Sequence, residues 1–300
     1  MKLDEDTLQA IVEAVARRLA AEAPPEPLPA PAMDFQAPCG GDGGHACTAR
    51  PRPVHAVATP VYEAMLPRLV ALTSSQVAVG RAGNRFRTDL YLRAREGHAD
   101  ARDAVHSEVP EDWAARHGLV QLQTRCRDRQ EYLLYPNHGR RLDDVSRATV
   151  EAHARAGAGP DVQVLVGDGL SPNAIVENGA STLDALRRAL QAAGLRTGVD
   201  YYVRFARIGV ADEVGVLARA RSSVILVGER PGLGTGDSLS LYLAVGPRLD
   251  QDNAEKNCIS NVRPIGIRPE EAGSQAVAIL KRALELGVGG VALGLGWGRQ

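Results

Sequence analysis

Cysteine is scarce in this chain, with four in 300 residues, at Cys39, Cys47, Cys126 and Cys258. They lie too far apart in too long a chain to form a secreted disulfide framework, and a reducing cytoplasm suits them. Excess charge is also missing. Lys+Arg 35 against Asp+Glu 36 leaves a formal charge of -1, so no long-range field gathers nucleic acid or an anionic membrane surface. No apolar run reaches the roughly 18 residues that a membrane-spanning helix needs. The opening MKLDED is acidic where an export signal is basic. These absences argue against nucleic-acid and membrane partners and predict a soluble, cytoplasmic protein.

Several catalytic signatures are missing as well. No phosphate-cradling loop with Lys-Ser or Lys-Thr occurs, and Gly232-Leu233-Gly234-Thr235-Gly236 lacks the spacing of a dinucleotide fingerprint. Ser171 follows Gly-Asp-Gly-Leu but has no Gly-x-Ser-x-Gly elbow, which speaks against a hydrolase. Cys39, His45 and Cys47 would need Asp42 or His55 as a fourth zinc ligand, a poor match to structural spacing. The seven histidines are scattered and read as surface or packing residues.

What is present is ordinary globular composition, 44% hydrophobic and 24% charged, which predicts that most of the chain folds. In residues 1 to 23, Leu8, Ile11, Val12, Val15 and Leu19 recur at spacings of three and four, the stripe of an amphipathic helix. Residues 24 to 60 concentrate proline and hold the Gly40–Gly44 region, a linker without a core. A helix separated from its domain in this way can dock on a partner or fold back on its own chain. Residues 61 to 155 read as mainly helical, with Pro67 suited to a first helical turn and Thr88 to an N-cap.

From 156 to 286 short apolar runs alternate with amphipathic helices. Strands are predicted through Val162–Val166, Tyr201–Phe205 and Val224–Val227, with Leu239–Val245 as a fourth. Helices are predicted around Leu183–Leu190, Ala211–Arg221 and Pro269–Leu286. The pattern predicts an α/β fold, a mainly parallel Rossmann-like sheet covered by helices. In such sheets ligands bind beyond the carboxyl ends of strands. The loops GDGLS, RIGVAD and GERPGLG each follow a predicted strand and should open on one edge. Residues 287 to 300 read as a Gly-rich tail.

Several long stretches resemble one family, the small subunit of ethanolamine ammonia-lyase: RAGNRFRT (81 to 88), EVPEDW (108 to 113), PDVQVLVGDGLS (160 to 171), VGERPGLG (227 to 234) and CISN (258 to 261). Their order and spacing match too, over about residues 77 to 285. The resemblance implies one subunit of an ammonia-lyase that converts ethanolamine to acetaldehyde and ammonia with adenosylcobalamin. It further implies a large barrel subunit as partner, with ethanolamine bound mainly by that subunit and the corrin enclosed between the two. Three positions match family residues that contact cobalamin: Ile208, Glu229 and Cys258. Ile208 would offer apolar surface, Glu229 would accept hydrogen bonds from corrin amides, and Cys258 would pack as a small soft group. Each also has a plain structural reading: a core isoleucine, a glutamate paired with Arg230 or Arg207, a buried cysteine. The Asp-x-His-x-x-Gly motif of some cobalamin enzymes is absent, so base-on binding is expected. The terminal helix and its linker look like the tags that send enzymes into bacterial microcompartments. The alternatives are a non-catalytic assembly protein of such a compartment and a nucleotide-binding oxidoreductase.

Overall fold

The computed structural model describes residue 57 and residues 60–73, 77–155 and 157–297. The expected tag helix and nearly all of the linker therefore lie outside the described residues, as do Cys39, His45 and Cys47. The chain divides into two compact units, Met1–Phe86 and Arg87–Gln300. In the first, α1 (Leu66–Ala71) starts with a proline in its first turn, where the missing N–H costs nothing. A short antiparallel hairpin follows, β1 (Arg81–Ala82) with β2 (Arg85–Phe86).

The second unit is a mixed α/β body. Its elements run α2 (Thr88–His106), α3 (Trp113–Arg116), β3 (Val120–Gln123), α4 (Arg129–Leu134), α5 (Asp144–Arg155), β4 (Val162–Gly167), and α6 (Pro172–Ala174). A π-helical turn at Ile175–Gly179 then leads into α7 (Ala180–Ala192), β5 (Tyr201–Arg204), α8 (Val210–Leu217), β6 (Ser222–Gly228), β7 (Leu239–Val245), β8 (Asn257–Val262), α9 (Pro269–Leu286) and α10 (Gly290–Trp297). Helix α2 begins at Thr88 as expected, but Arg87 is its N-cap residue and Thr88 already lies inside the first turn.

The six strands lie in the order β3-β5-β4-β6-β7-β8. Pairings β3–β5, β5–β4 and β4–β6 are parallel, while β6–β7 and β7–β8 are antiparallel. The parallel core was expected. Its order is not that of a doubly wound dinucleotide fold, and two antiparallel strands extend one side. Strand β3 lies in the segment read as mainly helical. At four residues with only Leu122 buried, it has too little periodicity to announce itself.

Every residue of β4 and of β6 is buried, as expected of parallel strands covered on both faces. On one face, Val162, Val164, Val166, Val224 and Leu226 pack with Leu183, Leu186 and Leu190 of α7 and with Ala276, Val277 and Leu280 of α9. Burial of this kind stabilises by about 1.5–3 kcal/mol per large aliphatic side chain. Helix α9 has a proline, Glu270 and Glu271 in its first turn, and ends at Gly287, whose φ of 67° closes it with a left-handed cap.

On the other face, Leu165, Val203, Ile225 and Val227 pack with Val150 of α5 and with Val210, Ala211 and Val214 of α8. Helix α8 has only 8 residues and lies over β4 and β6. Over β7 this face carries Ser240 and the partly buried Tyr242. The glycine-rich end forms α10, anchored by Leu293, which is 2% exposed. No described helix is long and apolar enough to cross a membrane.

Candidate functional site

Adjacent parallel strands β4 and β5 send their following helices to opposite faces of the sheet: α7 to one, α8 to the other. Diverging connections open a crevice at the carboxyl ends of such strands. A cleft of about 750 Å³ lies there. Gly169 and Leu170 line it from the loop after β4, Arg207, Ile208 and Asp212 from the loop and helix after β5, and Gly228, Glu229 and Arg230 from the end of β6. The three loops expected to open on one edge therefore meet in one cleft.

Asp168 fixes the first two loops together. Its carboxylate accepts N–H groups from Gly169 at 2.9 Å, Phe205 at 2.8 Å and Ala206 at 2.9 Å, and Arg129 lies 3.9 Å away. Burial pushes the carboxyl up, opposed by these backbone bonds and by Arg129. The three N–H donors favour the ionised form, against the pull of burial. Gly169 must be glycine. Its φ is 64°, and a Cβ there would stand 2.2 Å from the Gly228 carbonyl oxygen, where Leu170 N–H donates at 3.0 Å.

Ser171 is fully buried, and its hydroxyl donates to the Gly236 carbonyl. It is a brace and not a nucleophile. Together with Asn178, whose amide donates to the Asp237 carbonyl at 2.7 Å, it holds the chain that carries Ser238.

Glu229 is held by that chain. Its Oε2 accepts from Ser238 Oγ at 2.7 Å, and its Oε1 accepts from Ser240 Oγ and from the Asn261 N–H at 2.9 Å. These partners take the place of the pairing with Arg230 or Arg207 that the sequence left open. A carboxylate has about four acceptor positions, so one remains, on Oε2.

Ile208 is partly buried and packs against the α8-side core at the cleft. Cys258 is exposed and pairs in register with Tyr242, which lines the cleft. Opposed residues in an antiparallel pair share a face, so the thiol lies at the cleft's margin. Although the residue is exposed, protein packed around its sulfur desolvates the Cys258 thiol and raises it, against hydrogen bonds with Tyr242 and Ser240. Burial likewise pushes the Tyr242 phenol up to about 12. Both are neutral at physiological pH and act as packing and hydrogen-bonding groups.

The far wall of the cleft was not legible in the sequence. It is the β7–β8 connection, where Asp250, Gln251, Asp252, Asn253 and Lys256 line the cleft. Lys256 Nζ lies 2.9 Å from Asp212 Oδ2, and these side chains are 2% and 1% exposed. Arg207 lies over the Tyr132 ring, 4.2 Å from its centroid, and donates to the Tyr132 carbonyl. The Asp in RIGVAD was the one available hint, because its strand-end position put it near a ligand edge.

The cleft offers apolar surface from Leu170, Ile208 and Val227, acceptors on Glu229, Asp212 and Gln251, and donors on Arg207 and Arg230. Such a set fits one side of a wide apolar ring fringed with amides, since the amides both donate and accept. Among the described residues no cluster of His, Cys, Asp or Glu could hold a metal ion.

The family model for ethanolamine ammonia-lyase light chain (EutC) matches residues 63–294. The match spans both units and the whole cleft, and the chain belongs to this family. It is the small subunit of a carbon-nitrogen lyase, and its partner is the large subunit of that enzyme.

Proposed function

We propose that the cleft at the carboxyl ends of β4, β5 and β6 holds adenosylcobalamin against the large subunit, while ethanolamine is bound mainly by that partner. The observation that carries this reading is the convergence of Ile208 and Glu229 on one cleft, with Cys258 at its margin. These residues come from three separate parts of the sequence.

When bound, the cofactor supplies a cobalt–carbon bond whose homolysis starts the radical conversion of ethanolamine to acetaldehyde and ammonia. This chain's own work is enclosure and orientation. Ile208 and Leu170 cover apolar ring and exclude water. Glu229, fixed by three donors, turns its remaining acceptor position to a rim amide. A pre-fixed acceptor costs little ordering on binding. Cys258 fills the margin beside Tyr242 as a small neutral group. No catalytic residue is assigned to this chain.

The test is an absorbance titration with hydroxocobalamin of the large subunit alone, of this chain alone, and of the two mixed. High affinity in the mixture only supports the reading. Equal affinity of the large subunit with and without this chain contradicts it.

We propose further that residues 1 to 23 direct the cytoplasmic enzyme into a bacterial microcompartment. The support is the amphipathic stripe followed by a proline-rich linker.

A further inference from the structure

Buried polar side-chain atoms nearly always have a hydrogen-bond partner, and an orphan costs free energy unless something else satisfies it. Among the described residues six such atoms have none. Three belong to residues that line this one cleft: Arg207 Nε, Asp212 Oδ1 and Gln251 Oε1. Asp212 is 1% exposed and Gln251 6%.

One cation ties the two residues together. Lys256 Nζ donates to Asp212 Oδ2 at 2.9 Å, to the backbone carbonyl of Gln251 at 2.8 Å and to Asn253 Oδ1 at 3.4 Å. An ammonium has three N–H bonds, so Lys256 has none left for Asp212 Oδ1. Gln251 uses its amide nitrogen on the Val245 carbonyl, 3.2 Å away. That bond orients the amide and leaves Oε1 without a donor from this chain.

We propose that Asp212 and Gln251 form a second acceptor subsite of the cleft, specific for the N–H2 of a primary carboxamide. The proposal rests on the reading above, in which the ligand is a corrin fringed with carboxamides. An ammonium group would also supply donors, but the local charge argues against it. Lys256 already neutralises Asp212 and would repel a second ammonium beside it, and the lining carboxylates Asp250 and Asp252 are matched in number by Arg140 and Arg207. The orphaned Arg207 Nε is a donor, and it complements the carbonyl of the same class of group. Two acceptors and one donor match a carboxamide and repel nothing in it.

The test uses the assembled two-subunit enzyme and absorbance titration, so that it does not depend on turnover. The ligands are hydroxocobalamin and its derivatives in which one rim carboxamide is replaced by a carboxylate. For the native enzyme, one derivative is expected to bind at least about tenfold more weakly than the parent, because its carboxylate faces Asp212 Oδ1 without a proton to donate. Gln251→Leu is expected to bind the parent about tenfold more weakly, and to lose no more than about twofold further with that same derivative. If all derivatives bind the native enzyme alike, or if Gln251→Leu binds as the native enzyme does, the subsite is overturned. Glu229→Ala, run in parallel, separates the two ideas. A loss with Glu229→Ala and none with Gln251→Leu removes only the subsite, whereas no loss with either removes the cofactor reading. If Gln251→Leu fails to assemble, the same panel on Glu229→Ala decides: a derivative that still binds about tenfold more weakly than the parent supports the subsite, and equal binding by all derivatives overturns it.

Discussion

Phe205 donates its N–H to Asp168 across the carboxyl ends of β4 and β5, 2.8 Å from Oδ2. Phe205 has φ 56°, a left-handed conformation that a bulky side chain rarely adopts. Its carbonyl accepts from Thr124 Oγ1 at 3.0 Å, so both polar groups of the strained residue are held. Strain of about 1–3 kcal/mol persists only where the surroundings over-determine it. The turn it makes delivers Arg207 and Ile208 to the cleft.

Asp168→Asn should therefore destabilise the folded chain by about 2–3 kcal/mol, because one carboxamide nitrogen must face a backbone N–H in a buried site. Urea unfolding of the isolated subunit checks this. An unchanged midpoint would mean that the three N–H bonds are not what holds the two loops.

Lys256→Met should cost about 3–5 kcal/mol by leaving the Asp212 carboxylate buried and unpaired. Adding Asp212→Leu should recover most of that loss, since an apolar pair of similar size needs no desolvation. The double-mutant cycle, read by denaturant unfolding, distinguishes an ion pair from simple packing at this wall.

The sheet and three of the cleft's four loops illustrate how far the sequence could be read. Strands β4 and β6 were legible because they are short, mostly apolar runs ended by glycines, and α9 because its buried residues recur at helical spacing between a proline and Gly287. Strand β8 was missed because its burial alternates weakly, with only Ile259 and Val262 buried. The wall formed by Gln251 and Lys256 was invisible for a different reason. A lysine and a glutamine in a polar loop look solvated, and only tertiary pairing, of Lys256 with Asp212 and of Gln251 with the Val245 carbonyl, buries them. Ile208 and Glu229 were named through family resemblance. Residue type alone favoured plain packing roles, and what the fold adds is that both line one cleft.

Glu131 supplies a pH prediction. The Arg127 backbone N–H, the Arg127 guanidinium and His138 lower its carboxyl from 4.5 to about 2. A depressed carboxyl stabilises the folded state fully above its unfolded value, and the contribution is lost as pH falls towards the folded one. The stability difference between native chain and Glu131→Gln should therefore be constant above about pH 5 and shrink between pH 4.5 and about 2. Paired urea titrations across that range measure it, and a difference that stays flat would show that these bonds do not favour the charged form.

Removal of residues 1 to 23 should leave lyase activity of the assembled enzyme within about twofold, because the cleft is lined by residues from Tyr132 onwards. In cells that build microcompartments the truncated chain should stay outside the shells. Co-purification of the truncated enzyme with intact shells would contradict the proposed role.

The central claim is that the cleft of this subunit holds the corrin, and Glu229→Ala in the assembled enzyme tests it most directly. Absorbance titration with hydroxocobalamin should show affinity lowered by about 10- to 100-fold, with subunit assembly and unfolding midpoint little changed. Affinity equal to that of the native enzyme, in a complex shown to be assembled, would contradict the claim.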